Sequence, residues 1–188
     1  MIYSIFPPNN FYSHISAPNK EELIDGLRRA KVDPGVDISW NKDCDVKVDP
    51  LYNDEVREFF TPTLEIFFNE FKKNIPIKLN SVWRNTYTKG GFQEIHDHFE
   101  GADVSGCVFL EDFNPDAGKF YFYNRHASEI NVKWRHLIVG DDLIGMLSKV
   151  IAHSAGDVLL FPSYVLHGVT PHKLRRPRTT VSFNMSFV

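Results

Sequence analysis

The residues of this chain that could carry out chemistry are concentrated around a pair of histidines. His96 and His98 lie one residue apart, on either side of Asp97. Successive side chains of an extended strand point to opposite faces, so both imidazoles would project to one side and Asp97 to the other. A second strand-like run, 161–169, carries His167. Because neutral imidazole is a common metal ligand, this pattern predicts that the three histidines meet around a metal ion.

The identity of a third, carboxylate ligand is a question of register. A divalent iron site for oxygen chemistry commonly uses two imidazoles and a carboxylate on one face, which leaves the opposite positions open. The segment His98-Phe99-Glu100 has the form His-x-Glu, whereas His96-Asp97-His98 has the same spacing with histidine in the carboxylate position. Both registers use His167 as the distal ligand.

An arginine further along the chain could hold an anionic co-substrate. Arg178 begins the alternating strand 178–184, in which Thr180 and Ser182 share its face. A guanidinium binds a carboxylate through two parallel hydrogen bonds, and a nearby hydroxyl can donate to the same anion. This chemistry suits the far carboxylate of 2-oxoglutarate while the keto-acid end chelates iron. The remaining histidines are expected to have ordinary core or surface roles, and they are His14, His126, His136, His153 and His172.

The first part of the chain is predicted to form elements that pack against a sheet rather than to carry catalytic residues. A short strand is expected at 1–6, helices at 20–31 and 55–73, and short strands near 36–40 and 46–48. Asn19 is expected to cap the first helix, and Asn53 or Asp54 the second. Pro62 is expected to split or kink the second helix, whose phenylalanine stripe should pack into the core.

From residue 78 onward the sequence predicts strands. Apolar alternation between turn signals indicates strands at 78–87, 92–98, 104–110, 119–123, 130–134, 149–153, 157–161, 166–170 and 179–187. Many short strands after two helices predict a mainly β fold, an antiparallel jelly roll with helices against one sheet. We expect one domain, 1–188, with a helical support region at 1–77 and a β core at 78–188.

An ordered series of motifs resembles the 2-oxoglutarate- and iron(II)-dependent oxygenase superfamily. The resemblance covers about residues 83–188 and is strongest to a bacterial and phage branch with prolyl-hydroxylase-like members. That branch has the motif order His-x-His, Ser-Gly-Val-Tyr-Tyr, Phe-Pro-Ser, His, Arg-x-Ser. The corresponding segments here are 96–98, 104–110, 118–122, 155–163, 167–171 and 178–184.

The resemblance implies a double-stranded β-helix, which is a jelly-roll or cupin-like fold. It also implies iron(II), 2-oxoglutarate and dioxygen, with oxidation of a C–H bond and release of succinate and carbon dioxide. By position, His96 is the first metal ligand, His98 occupies the position where many relatives have aspartate, and His167 is the distal ligand. The residues expected around 2-oxoglutarate are Arg178, Thr180, Ser182 and Tyr87.

Histidine at position 98 has an electrostatic consequence. Three neutral imidazoles leave the site one unit more positive than two imidazoles and a carboxylate, which should strengthen anion binding. Alternatively, Glu100, Asp103 or a water molecule fills the third metal position. The residues that could line the substrate mouth are Asn85, Gln93 and Trp83.

Composition limits the partners and the location. A net charge of −3 gives no basis for binding long nucleic acid, which depends on dense Lys and Arg. Two distant cysteines, Cys44 and Cys107, fit a reducing compartment, and neither a signal peptide nor a membrane span is recognisable. We therefore expect a cytoplasmic protein.

The function expected from these features is hydroxylation. The substrate would be a protein or peptide residue, proline among them, or a small metabolite. Two alternatives use the same fold differently. One is a cupin-type metalloenzyme with three histidines that does not use 2-oxoglutarate, and the other is a non-catalytic binding module.

Overall fold

Ten strands and two helices make up the described part of the chain. The computed structural model describes residues 10–36, 44–71, 75–125 and 148–188. The helices are α1 (Lys20–Arg29) and α2 (Asn53–Asn69). The strands are β1 (Ser13–Ser16), β2 (Val46–Leu51), β3 (Ile77–Tyr87), β4 (Gln93–His96), β5 (Val104–Phe109), β6 (Phe120–Tyr123), β7 (Ser148–Val150), β8 (Asp157–Pro162), β9 (His167–Val169) and β10 (Arg178–Phe187).

The strands form two antiparallel sheets. The larger sheet has the order β1-β8-β5-β10-β3-β2, and the smaller sheet has the order β4-β9-β6-β7. Strand β10 is last in sequence but lies near the middle of the larger sheet, between β5 and β3. This arrangement confirms the predicted mainly β, double-stranded β-helix fold with supporting helices.

Side-chain alternation gives the larger sheet a separate core on each face. On β5, Val104 and Val108 pack toward the helices, whereas Cys107 and Phe109 pack between the two sheets. Strand β8, which pairs with β5, shows the same alternation of side chains between the two cores. All six residues of β5 are buried, as expected for a strand covered on both faces. The inner core, between the sheets, is the one that adjoins the candidate site.

Strand β3 changes phase along its length. The pairing of β3 with β10 shifts by one residue after Asn184, so that Asn184 lies opposite Ser81 and Met185 opposite Leu79. An extra residue in one strand moves the following side chains to the other face. Leu79 and Val82 consequently both face the helices, and the residues from Trp83 onward can alternate toward the inner core.

The helices cover the outer face of the larger sheet. Leu23 and Leu27 of α1 and Phe60 of α2 are buried in the outer core. Gly26 allows the helices to approach closely, because a Cβ atom there would lie 2.5 Å from the Phe59 ring. The phenylalanine stripe of α2 therefore packs into the core, as the sequence predicts. Neither helix of the described chain is long and apolar enough to cross a membrane.

Several local predictions were wrong in detail. Helix α2 runs through Pro62 without a break. Asn19 is the N-cap residue of α1, as predicted, but its side chain donates to the carbonyl of Phe59 and makes no capping hydrogen bond. The N-cap residue of α2 is Tyr52 rather than Asn53 or Asp54, and the Asn53 side chain donates to the carbonyl of Asn80. Strand β1 was not predicted. The described residues do not include the expected strands at 1–6 and 130–134 or most of the expected strand at 36–40. They also do not include His126 and His136.

Candidate active site

The smaller sheet brings the three histidines to one point. His96 of β4 and His167 of β9 are direct partners across the strand pair, and His98 follows two residues beyond the end of β4. Their ring centroids are 4.3 Å apart for His96 and His167, 5.0 Å for His96 and His98, and 5.3 Å for His98 and His167. One ring nitrogen from each lies within 4.8 Å of the others, a spacing that allows a shared metal ion.

Hydrogen bonds to the backbone fix the tautomers of two imidazoles. Nδ1 of His96 lies 2.7 Å from the carbonyl oxygen of Glu94, and Nδ1 of His167 lies 2.9 Å from that of Val165. A carbonyl can only accept, so in both rings the proton is on Nδ1 and the lone pair on Nε2. Such a bond orients a metal-binding histidine and makes Nε2 a better ligand.

Burial keeps the histidine cluster neutral. Loss of solvent is the largest cause that lowers the pKa of all three imidazoles, and that of His98 falls to about 4. The mutual repulsion of the rings adds to this effect for His98 and His167. At neutral pH the rings therefore present lone pairs rather than protons, as metal binding requires.

The loop after β4 holds His98 beside the larger sheet. The backbone N–H of His98 donates to the carbonyl of Ser163 at 2.8 Å, and the His98 ring lies 5.8 Å from the ring of Trp83. Asp97 is not a member of the cluster, and its carboxylate lies 3.6 Å from the Arg125 guanidinium. Strand alternation predicted this separation of Asp97 from its neighbours.

Arg178 places an unpaired cation in the inner core. Its side chain is 5% exposed, and neither terminal nitrogen has a hydrogen-bond partner among the described residues. The guanidinium carbon lies 5.3 Å from the centre of the Tyr87 ring and 5.8 Å from that of Phe109. A buried cation without a partner is costly, so this group is a favourable binding site for an anion. A carboxylate, which accepts two parallel hydrogen bonds from a guanidinium, fits such a site.

One narrow cavity connects Arg178 with the histidines. It is lined by side chains of both sheets, including Tyr87, Gln93, Thr180 and Ser182. The Tyr87 hydroxyl donates to Gln93 at 3.0 Å, and burial raises the pKa of that hydroxyl. The cavity volume is about 20 Å³. A space of this size holds about one water molecule.

The structure does not bring every predicted site residue to the cavity. Glu100 is exposed and outside the histidine cluster, and Asp103 accepts a hydrogen bond from the backbone of Phe187. Neither carboxylate is therefore placed as a third ligand. Trp83 and Gln93 line the cavity, but Asn85 is buried behind it and donates to the Ser182 hydroxyl at 3.0 Å.

Further cavity residues were missing from the sequence prediction. Ser105 and Asn184 line the cavity and form a hydrogen bond of 2.8 Å across the β5–β10 pair. Asn184 could have been found, because it shares a face with Arg178 by the two-residue alternation of β10. Phe120, whose ring stacks on His167 with centroids 5.5 Å apart, had no such signal.

The sequence matches one known family over the region that carries the site. Residues 81–184 match the family model of the 2OG-Fe(II) oxygenases. The match spans more than half of the chain and includes the three histidines and Arg178. A search of curated proteins found no match.

Solved structures of oxygenases share the fold at low sequence identity. An oxidoreductase of the 2OG-Fe(II) oxygenase family from Burkholderia pseudomallei is 16% identical, with a TM-score of 0.64 over 93% of this chain and 84% of that one. HygX from Streptomyces hygroscopicus, with nickel and 2-oxoglutarate bound, is 16% identical, with a TM-score of 0.60 over 94% and 83%. The viral collagen prolyl hydroxylase of Paramecium Bursaria Chlorella virus-1 is 14% identical, with a TM-score of 0.59 over 93% and 94%.

Proposed function

Because the chain belongs to the 2OG-Fe(II) oxygenase family, we propose that it hydroxylates a C–H bond of an organic substrate. Enzymes of this family use iron(II), 2-oxoglutarate and dioxygen. Bound together, these groups supply the oxidising power, and one oxygen atom enters the substrate while the other enters succinate as carbon dioxide leaves. The observation that carries the proposal is the pairing of a three-imidazole cluster with a buried, unpartnered guanidinium in one cavity.

The proposed metal ligands are His96, His98 and His167. All three are held neutral, and two have their donor atom fixed by a backbone hydrogen bond. Three neutral ligands leave the full charge of a divalent ion uncompensated. An anionic chelating ligand is therefore favoured at the remaining positions.

The proposed 2-oxoglutarate site is Arg178 with Tyr87, Thr180 and Ser182. The guanidinium would bind the far carboxylate, and a hydroxyl of the same strand face would donate to it. The aromatic rings over the guanidinium exclude water and so strengthen its attraction for the anion. This buried cation weighs against a three-histidine enzyme without 2-oxoglutarate, and the family weighs against a non-catalytic module.

For the substrate we favour a peptide residue, with a small metabolite as the second class. Phe99 is 62% exposed and Tyr164 is 42% exposed, and the bond from His98 to Ser163 joins the two loops that carry them beside the cluster. Exposed aromatic side chains that are sequence neighbours of site residues are typical of a surface that contacts a larger partner. A prolyl residue is one candidate within this class. Location in the cytoplasm stays a prediction from the sequence.

The test is production of succinate from 2-oxoglutarate. Protein purified without oxygen is loaded with iron(II) and exposed to air with 2-oxoglutarate and either a peptide library or a metabolite panel. Mass spectrometry then measures succinate and substrate mass. We expect succinate above background and a substrate gain of one oxygen atom.

Two matched variants make this experiment specific. His167→Ala should abolish both products because it removes a proposed metal ligand. Glu100→Gln should retain both because that carboxylate lies outside the cluster. Succinate production that survives His167→Ala, or its complete absence from the unsubstituted protein, would contradict the proposal.

A further inference from the structure

The buried histidine after β9, His172, uses both of its ring nitrogens. The side chain is 2% exposed, Nδ1 lies 3.1 Å from the backbone nitrogen of Gly118, and Nε2 lies 2.7 Å from the carbonyl oxygen of Arg176. An amide N–H only donates and a carbonyl only accepts. The hydrogen-bond partners therefore place a donating proton on Nε2 and an accepting lone pair on Nδ1.

The backbone of the same residue bonds to a third segment. The carbonyl of His172 accepts from the N–H of Gly90 at 2.8 Å, and its N–H donates to the carbonyl of Gly91 at 2.9 Å. Gly90 has φ of +94°, a conformation that favours glycine, and begins the approach to β4. One residue thus makes four hydrogen bonds to three separate parts of the chain.

Each of those parts leads into the candidate site. Gly91 lies two residues before β4, which carries His96. Gly118 lies two residues before Phe120, the ring that stacks on His167. Arg176 lies two residues before Arg178. The imidazole bond to Arg176 is the one that reaches the turn 173–177, whose end sets where Arg178 enters the cavity.

We propose that His172 is a positioning residue for Arg178. It contacts neither proposed metal ligand nor co-substrate site directly, and it acts by fixing the backbone turn that carries the guanidinium. This inference rests on the proposed function, since it assumes that Arg178 binds 2-oxoglutarate. Its specific claim is that the Nε2 hydrogen bond matters for co-substrate affinity and that the Nδ1 bond does not.

Two amide variants separate the bonds. The amide nitrogen of glutamine reaches the position of histidine Nε2, so His172→Gln can keep donation to Arg176. The amide oxygen of asparagine lies near the position of Nδ1, so His172→Asn can keep acceptance from Gly118 and loses the other bond. His172→Phe keeps the ring and loses both bonds. Calorimetric titration with Mn(II) and then 2-oxoglutarate, in the absence of iron, gives the two dissociation constants separately.

We expect a split between the two affinities. His172→Asn and His172→Phe should raise the Kd for 2-oxoglutarate about tenfold, the order of effect of one lost buried hydrogen bond. Their Kd for Mn(II) should stay within about twofold, and His172→Gln should restore 2-oxoglutarate binding. If His172→Phe does not fold, the comparison of the glutamine and asparagine variants decides.

Other results would overturn the inference. Equal 2-oxoglutarate affinity in the glutamine and asparagine variants would contradict it, and so would parallel weakening of both affinities, which a general loss of stability predicts. If the unsubstituted protein bound neither Mn(II) nor 2-oxoglutarate, that result would contradict both the proposed function and this inference.

Discussion

The unpaired guanidinium of Arg178 is a residue at which stability and proposed ligand binding make opposite demands. Its two terminal nitrogens are buried without partners among the described residues, between the rings of Tyr87 and Phe109. In the free protein this arrangement is unfavourable because a charge has lost its water. An arriving carboxylate removes the penalty, and the recovered free energy adds to its affinity.

Replacing Arg178 by methionine should therefore have opposite effects on two measurements. The Kd for 2-oxoglutarate should rise about 100-fold, since a buried charge pair loses one partner. The melting temperature of the ligand-free protein should stay equal or rise by a few degrees, since an unpaired buried charge is removed. Titration calorimetry and thermal unfolding measure the two effects. Arg175→Met, in the exposed turn, is the control and should change neither.

The charge at position 98 gives a second prediction. His98→Asp should still bind Mn(II) at one ion per chain, because an aspartate can also ligate a divalent metal. The Kd for 2-oxoglutarate should rise about threefold to tenfold, since the carboxylate removes one unit of positive charge from the site. Titration calorimetry measures both constants. Unchanged or tighter 2-oxoglutarate binding would show that the net charge of the metal site does not control the affinity for 2-oxoglutarate.

Spacing in the sequence was sufficient to predict that three histidines and Arg178 lie at one cavity, although Ser105, Asn184 and Phe120 were missed. Two histidines at alternate positions, a distant histidine and an arginine at a strand start follow from strand geometry. The contribution of His172 could not be predicted in that way. Its partners are the backbone N–H of Gly118 and the carbonyl of Arg176, and backbone groups are the same in every sequence.

At the scale of the elements, strand β5 lies between two cores that pack closely against it. Gly106 faces the outer core, and a Cβ atom built on it would lie 2.1 Å from the Phe183 ring. The ring of Phe183 is fully buried and cannot withdraw into solvent. The absence of a side chain at position 106 therefore lets β5 and β10 pair while Phe183 stays in the core.

Gly106→Ala should destabilise the fold. Overpacking of this kind costs about 1–3 kcal/mol, which lowers the melting temperature of a chain of this size by about 2–12 °C. Thermal unfolding measures the change. Gly101→Ala is the matched control, because no atom lies within 4 Å of its Cβ position. The smaller side chain of Phe183→Leu should partly rescue Gly106→Ala, and failure to do so would contradict the packing argument.

The segment before β8 gives a prediction about acid. The His153 ring stacks on Phe109 with centroids 3.6 Å apart, and burial, followed by the charge of Arg178, lowers its pKa to about 4. An unfolded histidine has a pKa of about 6.5, so on acidification the unfolded chain takes up the proton first. The contribution of neutral His153 to stability is complete above about pH 6.5. It is lost as the pH falls from 6.5 to about 4.

His153→Phe should accordingly reduce acid sensitivity. Phenylalanine keeps a ring against Phe109 and has no proton to bind. Between pH 7.5 and 5, the melting temperature of the variant should fall less than that of the unsubstituted protein, by about 4–8 °C. Thermal unfolding without metal at both values measures this difference. An identical fall in the two proteins would show that His153 is not linked to folding.

Tertiary packing explains which elements the sequence predicted poorly. The fully buried strands β5 and β8 and most helix positions were predicted because their apolar patterns are strong. Strand β1 was not predicted, since its pairing with β8 depends on an edge and not on an apolar pattern. Helix α2 continues through Pro62 because its buried face, including Phe60 and Phe67, holds the helix on both sides of the proline.

At the scale of the whole molecule, the candidate site lies between the sheets and uses both of them. His96 and His167 belong to the smaller sheet, whereas Arg178 belongs to the larger one. A metal ion bound by the histidines and a 2-oxoglutarate chelated to it would connect the two sheets. Ligand binding should therefore stabilise the whole fold and not only the site.

This connection between the sheets predicts that the metal ion must bind before 2-oxoglutarate can stabilise the fold strongly. With Mn(II) and 2-oxoglutarate each at about 100 times its Kd, the melting temperature should rise by about 5–10 °C for each ligand. 2-Oxoglutarate alone should raise it much less, because the chelating end has no metal. Thermal unfolding with each ligand, with both and with neither measures the effect. An equal shift from 2-oxoglutarate with and without metal would contradict a chelated binding mode, and His167→Ala should lose the metal response.

The central position of β10 in the larger sheet also matters during synthesis. The ribosome delivers β3 and β5 well before β10, which must later insert between them. Until then both strands have an open edge, and such edges invite pairing with other chains. Arg178 arrives on the same strand that closes the sheet. The proposed 2-oxoglutarate site, which requires Arg178, would therefore be complete only after this last strand has closed the sheet.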